Sequence, residues 1–319
     1  MLVNLKTECR RAAVFAALLL ALLPSALMGD ENAQPPTQRM EIHFAFSKSM
    51  FLGVNENDAR AAMRIYARTI GDQNGLYVDQ EPTLLEGTNE IAQALTHGRN
   101  DVFSLTTPEF LAVETRGLIG PFFCANIRGS FVEEYLLLSR KESTLRQIED
   151  LKGQSLIISS DVRSCLAPCW LEVLCREHGL TPATPSFPKI TFAPKPLQVV
   201  LPVFFGKADG CIVTRNAYEV MCELNPQLEK QLRIVAKSPP LIPSLSCFSR
   251  GTTELFRDRI FKALELSSSK PGYSQILTLF KADSVSQLPA TVLDSTREFL
   301  ARHRKLCGTS DKAQPADGT

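Results

Sequence analysis

The stretch "SLIISSDVRSCLAPCWLEVLC", residues 155–175, decides how the chain is read. The apolar "SLIIS" has the length and composition of a buried strand. The serines and the aspartate that follow, Ser159, Ser160, Asp161 and Ser164, are residue types that cap helices. Leu166, Cys169, Trp170, Val173 and Leu174 then recur at helical spacing, and "HG" at 178–179 supplies a stop. A strand running through a tight turn into a helix is the unit from which parallel α/β sheets are built. Such a turn also aims free backbone N–H groups and the positive end of the helix dipole at whatever lies before it, which suits an anion. The plainer reading is that the serines and aspartate only cap the helix.

The same rhythm extends in both directions. Upstream, "EIHFAFS" reads as a strand and "NENDARAAMRIYARTIG" as a helix ending at Gly71. "GLYVDQEP" is a second strand, "GTNEIAQALTHG" a helix closed by Gly98, and "NDVFSLT" a strand leading into the helix "PEFLAVETRG". Downstream of a break, "EEYLLLSRKE" reads as a strand and "TLRQIEDLKG" as a short helix before the opening stretch. "LQVVLPVFFGKADGCIVT" is a helix or turn into a strand, "NAYEVMCELNPQLEKQ" a helix and "LRIVAKS" a strand. After "PPLIP" come the strand "SLSCFSR" and the helices "TTELFRDRIFKALELS", "GYSQILTLF" and "LDSTREFLARHRK". Two successive α/β units predict two lobes.

The N-terminus carries Lys6, Arg10 and Arg11, then "AAVFAALLLALL" at 12–23, then Pro24, Ser25, Ala26 and Gly29. That order predicts a signal peptide over 1–29, with an uncleaved anchor as the alternative, followed by a polar linker over 30–40. The run is short for a membrane span, which needs about 20 apolar residues. The processed chain is expected to be soluble and exported, with a disordered tail over 308–319. Lys plus Arg, 35, nearly balance Asp plus Glu, 34, so no global field draws the chain to nucleic acid, and none is expected as a partner.

Eight cysteines follow the leader: Cys124, Cys165, Cys169, Cys175, Cys211, Cys222, Cys247 and Cys307. An oxidising compartment permits disulfides among them. Cys165 and Cys169, four apart on one helix, are badly placed to bridge each other. A partner elsewhere, such as Cys211 or Cys222, or a buried unpaired thiol, is expected. Paired CxxC spacing is absent and most histidines are distant, so no metal site is expected. GxSxG, Walker A, HExxH and GxGxxG signatures are absent too, and no cofactor or catalytic residue is assigned. Cys165 at a helix start is the one candidate nucleophile, for a thiol-dependent enzyme or redox accessory protein, but none of His43, His97, His178 or His303 forms a motif with it. Trp170, Tyr66 and Tyr218 fit core packing better than ligand stacking.

Three segments resemble the phosphonate/phosphate-type periplasmic substrate-binding proteins of ABC transporters, and in that family's order: "GRNDVFSLTTPEFL", "DLKGQSLIISSDVRSCLAPCWLEVLCREHGL" and "GKADGCIVTRNAYEVMCELNPQLEKQLRIVAKSPPLIPS". The resemblance spans roughly residues 41–290. It implies an α/β fold of the two-lobed type II periplasmic class, each lobe a mixed β-sheet flanked by helices, with a cleft between them. Lobe 1 would comprise 41–138 and 244–307, the latter part carrying the C-terminal helices, and lobe 2 would comprise 139–243. The crossings would fall near 134–139 and 239–247.

The resemblance further implies a monomer that captures a small anionic solute, a phosphonate, phosphate ester or related oxyanion, and presents it to a membrane permease or a sensor. By position, its ligand would meet Ser159, Ser160, Asp161, Arg163 and Ser164 in the Ser/Thr loop, Thr106 and Thr107 after "DVFSL", and Thr214 and Asn216 after "GCIVT". Ser47 and Ser49 follow the first strand, and Glu86, Thr88 and Asn89 open the helix after the second. Thr106, Thr107, Ser160 and Ser164 are the leading candidates. Where the family shows Ser-Thr-Ser-Gly, this chain has Asp161, Val162, Arg163, Ser164 and Cys165, without the glycine. Arg163 is expected to pair either with a ligand oxyanion through its planar fork or with Asp161.

Overall fold

A computed structural model describes residues 41–52, 54, 56–74, 76–180, 188–268 and 283–308. The expected leader and linker, the helix "GYSQILTLF", and the tail beyond Gly308 lie outside the described residues, as does the Tyr66 side chain. Among the described residues no helix is long and apolar enough to cross a membrane.

The first half of the chain lays down β1 (Glu41–Ile42), β2 (Phe44–Ser47), α1 (Glu56–Asn74), β3 (Tyr77–Val78), β4 (Thr83–Leu85), α2 (Gly87–His97), β5 (Val102–Thr106), α3 (Thr107–Glu114) and β6 (Ile119–Asn126). Next come β7 (Tyr135–Arg140), β8 (Ser155–Ser159), α4 (Ala167–Glu177), β9 (Lys189–Ala193), α5 (Pro196–Phe204), β10 (Gly210–Thr214), α6 (Arg215–Leu224), α7 (Gln227–Gln231) and β11 (Leu232–Lys237). The chain ends with β12 (Ser244–Ser249), α8 (Glu254–Ser268), β13 (Ser284–Gln287) and α9 (Asp294–Cys307).

Two mixed sheets result. The first has the order β13-β6-β12-β5-β2-β4 and the second β11-β7-β10-β8-β9, while β1 and β3 form a separate parallel pair. In the first, β2 runs parallel to β4 and β5, and β12 runs antiparallel to β5 and β6. In the second, β8 runs parallel to β9 and β10, and β7 runs antiparallel to β10 and β11. Leaving β13 aside, both sheets therefore have one plan. Three parallel strands are followed by an antiparallel strand that enters directly from the other sheet, and a fifth strand lies outside it.

The crossings run through 127–134 and 238–243. They pair with each other: the Glu133 N–H donates to Leu241 O at 2.7 Å and the Leu241 N–H returns to Glu133 O at 2.9 Å. In open sheets of this kind ligands bind beyond the carboxyl ends of the parallel strands. Those ends are Ser47, Leu85, Thr106, Ser159, Ala193 and Thr214.

Alternation places the two faces of each strand into different layers. On β7, Tyr135 and Leu137 enter a core with Leu156, Ile158, Trp170 and Ile212, while Leu136 and Leu138 enter another with Val199, Val203 and Met221 on the opposite face. Trp170 is buried, with its ring 6.3 Å from that of Tyr135, and so packs in the core. The first sheet buries Phe103, Leu105, Phe122 and Leu245 against α2 and α3, and stacks Phe123, Phe248 and Phe261 on its other side.

Several elements depart from the sequence reading. α1 runs through Gly71 to Asn74; a Cβ at Gly71 would sit 2.8 Å from Leu76 O, so the glycine serves a close backbone approach inside the helix rather than its end. "TLRQIEDLKG" makes only the 3-10 turn Ile148–Leu151. β6, "IGPFFCAN", was masked by Gly120 and Pro121, and the register shift in β12 opposite them accommodates a proline that cannot donate.

α9, grouped with the first lobe by sequence order, packs chiefly along α4 of the second, placing Phe299 among Trp170, Leu171 and Val173. It also reaches the first lobe through a two-pronged Arg297 to Glu114 pair at 2.5 and 2.7 Å. Phe299→Ala should therefore lower the stability of the second lobe by about 3–5 kcal/mol, read as a drop in the denaturant midpoint. An unchanged midpoint would show that α9 is peripheral to that core.

Candidate functional site

At the first lobe's strand ends, the position expected for an anion is filled by the chain itself. α3 opens with Thr107, and the side chain of Glu109 folds back over the helix start. Its Oε1 accepts from Ser47 Oγ at 2.6 Å and Ser49 Oγ at 3.0 Å. Its Oε2 accepts from the Thr106 N–H at 3.0 Å and Thr106 Oγ1 at 2.8 Å. Four donors use the acceptor positions of one carboxylate. The hydroxyls of Ser47, Ser49 and Thr106 are thereby spent on Glu109, a residue the sequence reading did not single out. Its signal was present as the reach-back acid three residues after Thr106. Thr88 stands half-buried in the first turn of α2, and the exposed Glu86 accepts from Lys48 Nζ at 2.7 Å.

At the second lobe's strand ends, Asp161 acts as a cap. It accepts from the Ser164 N–H at 3.1 Å and from Ser159 Oγ at 2.9 Å, holding the 3-10 turn Val162–Ser164. The Ser160 N–H donates to Ala193 O at 3.0 Å, and Thr214 Oγ1 caps α6 by accepting from the Ala217 N–H at 3.3 Å. Asn216 lies half-buried in the first turn of that helix, and Tyr218 is buried against the sheet.

Arg163 pairs with neither Asp161 nor open solvent. Its Nε donates to Glu133 Oε1 at 2.6 Å and its Nη2 contacts the same oxygen, with side chains 12% and 3% exposed. Glu133 comes from the first crossing, so the guanidinium is committed to the hinge. Burial holds the Glu133 carboxyl above the usual carboxylate range, although Arg163 opposes the shift.

The two loops meet. The 3-10 turn Lys48–Phe51 packs against Val162–Ser164, and Pro243 O accepts both the Thr107 N–H at 2.8 Å and the Cys165 thiol at 3.3 Å. Beside this junction lie two buried hydroxyls, one from each lobe, Thr107 Oγ1 and Ser164 Oγ, that have no hydrogen-bond partner. Leaving a buried hydroxyl unpaired costs about 1–3 kcal/mol, so such atoms call for a partner.

The cysteines correct the disulfide expectation: all eight are free, and Cys165 bridges neither Cys211 nor Cys222. Cys211 lies within β10 and is wholly buried in the layer under α5 and α6, whereas Cys165 sits at the interlobe junction on Pro243. Burial pushes the Cys165 thiol far up, with Cys169 and Glu109 adding to the shift, the reverse of what a nucleophile requires. The histidines are engaged elsewhere: His43 with Asp101, His97 with Gln93 O, His178 with Glu149 and His303 with Glu172.

The profile of the family described as "ABC transporter, phosphonate, periplasmic substrate-binding protein" matches residues 22–288. The chain belongs to this family. Solved structures agree at the level of fold. XAC2383 from Xanthomonas citri, bound to chloride ion, superposes with a TM-score of 0.58 at 17% identity, over 83% of this chain and 98% of that one. A binding protein component of an ABC phosphonate transporter (PA3383) from Pseudomonas aeruginosa gives 0.56 at 13%, over 86% and 91%. PhnD1 from Prochlorococcus marinus, in complex with methylphosphonate, gives 0.55 at 13%, over 84% and 98%. No curated protein matches the chain. Within the family frame, the two-lobed α/β fold expected from sequence is present.

Replacing Arg163 with Met leaves Glu133 buried without its counter-charge, at a cost of about 3–5 kcal/mol near neutral pH. The folded state then binds the Glu133 proton more tightly than the unfolded state does. The loss should be absent below the ordinary carboxylate pKa and grow as pH rises through and above it, which urea melts across pH will show. A second check uses alkylation: Cys165 should resist iodoacetamide in the native chain and react once the chain is unfolded.

Proposed function

We propose that the chain is the solute-capturing component of an ABC-type importer and closes its lobes on a small oxyanion-bearing solute of the phosphonate, phosphate-ester or related class. One observation carries the reading: Thr107 Oγ1 and Ser164 Oγ, from opposite lobes, are buried at the junction with nothing to bond. A solute oxygen between them would satisfy both and reward closure, since only the closed form brings the two loops to one ligand. Ser160, Asn216 and Thr88 line the approach. Ser47, Thr106, Ser159, Asp161 and Thr214 shape the loops, and Arg163 acts through the hinge. The lobes move about the paired crossings 127–134 and 238–243.

The charge balance narrows the solute. Glu109 and Asp161 both stand near the junction, and the neighbouring Arg163 is already matched by Glu133. A dianion would be repelled there, whereas a singly charged oxyanion, or one carrying an amine that Asp161 can accept, would not. The family and the leader expected from the N-terminal sequence support delivery to a permease from the periplasmic side.

The test is a thermal-shift and calorimetry panel of the processed chain with methylphosphonate, 2-aminoethylphosphonate, glycerol 3-phosphate, ethanesulfonate and succinate. At least one oxyanion should raise the melting temperature, with the amine-bearing phosphonate favoured over phosphate esters. Thr107→Val and Ser164→Ala should each weaken that ligand by about tenfold or more, the loss of one buried hydrogen bond. No response to any member, or affinity untouched by both substitutions, would overturn the proposal.

A further inference from the structure

Away from the interlobe junction, α4 and α9 bring metal-binding chemistry together. α4 carries Cys169 and Glu172, three apart, and α9 carries His303 and Cys307, four apart, so each pair shares one helix face. His303 Nε2 lies 3.1 Å from Glu172 Oε2. Glu172, His303 and Cys307 each offer a ligand atom, all within 4.8 Å of one another, and all three are half-buried. Cys169, one turn before Glu172 and partly buried against the same core, lies beside this cluster and outside it.

We propose that Glu172, His303 and Cys307 form a site for a divalent metal, zinc foremost, that fastens the C-terminal helix to the second lobe. The donor set is one sulfur, one imidazole nitrogen and one carboxylate oxygen, with the fourth position left to solvent, a combination that tetrahedral zinc accepts at about 2.3 Å for sulfur and 2.0–2.2 Å for nitrogen and oxygen. Drawing these three ligand atoms in from 4.8 Å to the separations that such bonds allow takes about an ångström of rotamer adjustment. On binding, the thiol gives its proton to solvent and the imidazole is neutral. One thiolate and the carboxylate match the ion's charge. Arg176, whose Nη2 stands 3.2 Å from Glu172 Oε1, can hold Oε1 while Oε2 turns to the metal. The spacing looked empty on a linear reading because the two halves of the site are about 130 positions apart and meet only through helix packing.

The full processed chain, stripped with chelator under reducing conditions, would be titrated with Zn2+ against a chromophoric competitor and separately with Co2+. One ion per chain is expected, with thiolate-to-cobalt charge-transfer absorption. Zn2+ should protect Cys307 from alkylation, located by peptide mapping. Cys307→Ser and His303→Gln should each weaken zinc by at least about tenfold, the scale on which even outer partners act. Cys222→Ser, outside the cluster, should leave it unchanged, with circular dichroism confirming helix content in every variant. The proposal is overturned by stoichiometric binding that the substitutions do not alter, by cobalt spectra without thiolate bands, or by a native disulfide at Cys307 in chain isolated without reductant. The solute panel is independent of all these readouts.

Discussion

The Glu109 carboxylate organises the interlobe end of the first sheet. It collects the Ser47, Ser49 and Thr106 hydroxyls and the N–H of Thr106, the residue that caps α3, and it thereby fixes how β2, β5 and the turn after β2 stand relative to one another. Charge-assisted hydrogen bonds of this kind are roughly twice as strong as neutral ones, and four on one group make a rigid corner. That rigidity has a chemical cost. Groups that would otherwise be free to meet an external anion already meet an internal one, and on the proposed function recognition passes to Thr107 and to the loop of the opposite lobe.

The second lobe repeats the solution with a different emphasis. Asp161 takes the capping role, and Arg163, the cation nearest that loop, is drawn back to Glu133 in the crossing. A buried ion pair contributes little net stability compared with an apolar pair, but it tolerates few alternative geometries. Its placement at the crossing ties the 3-10 turn after β8 to the segment that joins the two lobes. Tyr135 adds a second tie from the same region, its hydroxyl donating to Arg163 O.

Much of the architecture was legible because strand and helix periods are written locally. "SLIIS", "DVFSLT" and "GCIVT" all became strands ending at the loops expected of them. What escaped depends on partners distant in sequence. β6 is a strand because β12 and β13 flank it, despite Gly120 and Pro121. β9 has mostly exposed or half-buried side chains and is held through its parallel register with β8. The site was legible as a set of loops and not as a set of roles. Hydroxyl-rich turns announce themselves, but which hydroxyls remain unspent depends on where Glu109 and Glu133 reach. The reach of Glu109 to Ser47 and Ser49, and of Glu133 to Arg163, spans tens of residues and leaves no local pattern. The disulfide expectation failed for a related reason: cysteine number reports compartment chemistry, whereas pairing needs side chains aimed at each other, and thiols that share a layer, such as Cys124 and Cys247, are free all the same.

The inserted strand in each sheet also orders events in time. β6 and β5 are separated by β12, so the first sheet has a gap in its middle until residues 244–249 exist and arrive. Non-local pairing of this sort is slow, since the intervening chain must be gathered in before the ladder rewards it. A polypeptide emerging from the ribosome therefore spends most of its synthesis unable to complete the half that was made first. Commitment of the first lobe to its shape thus waits on a strand made after every strand of the second sheet, an outcome of topology rather than of any one side chain.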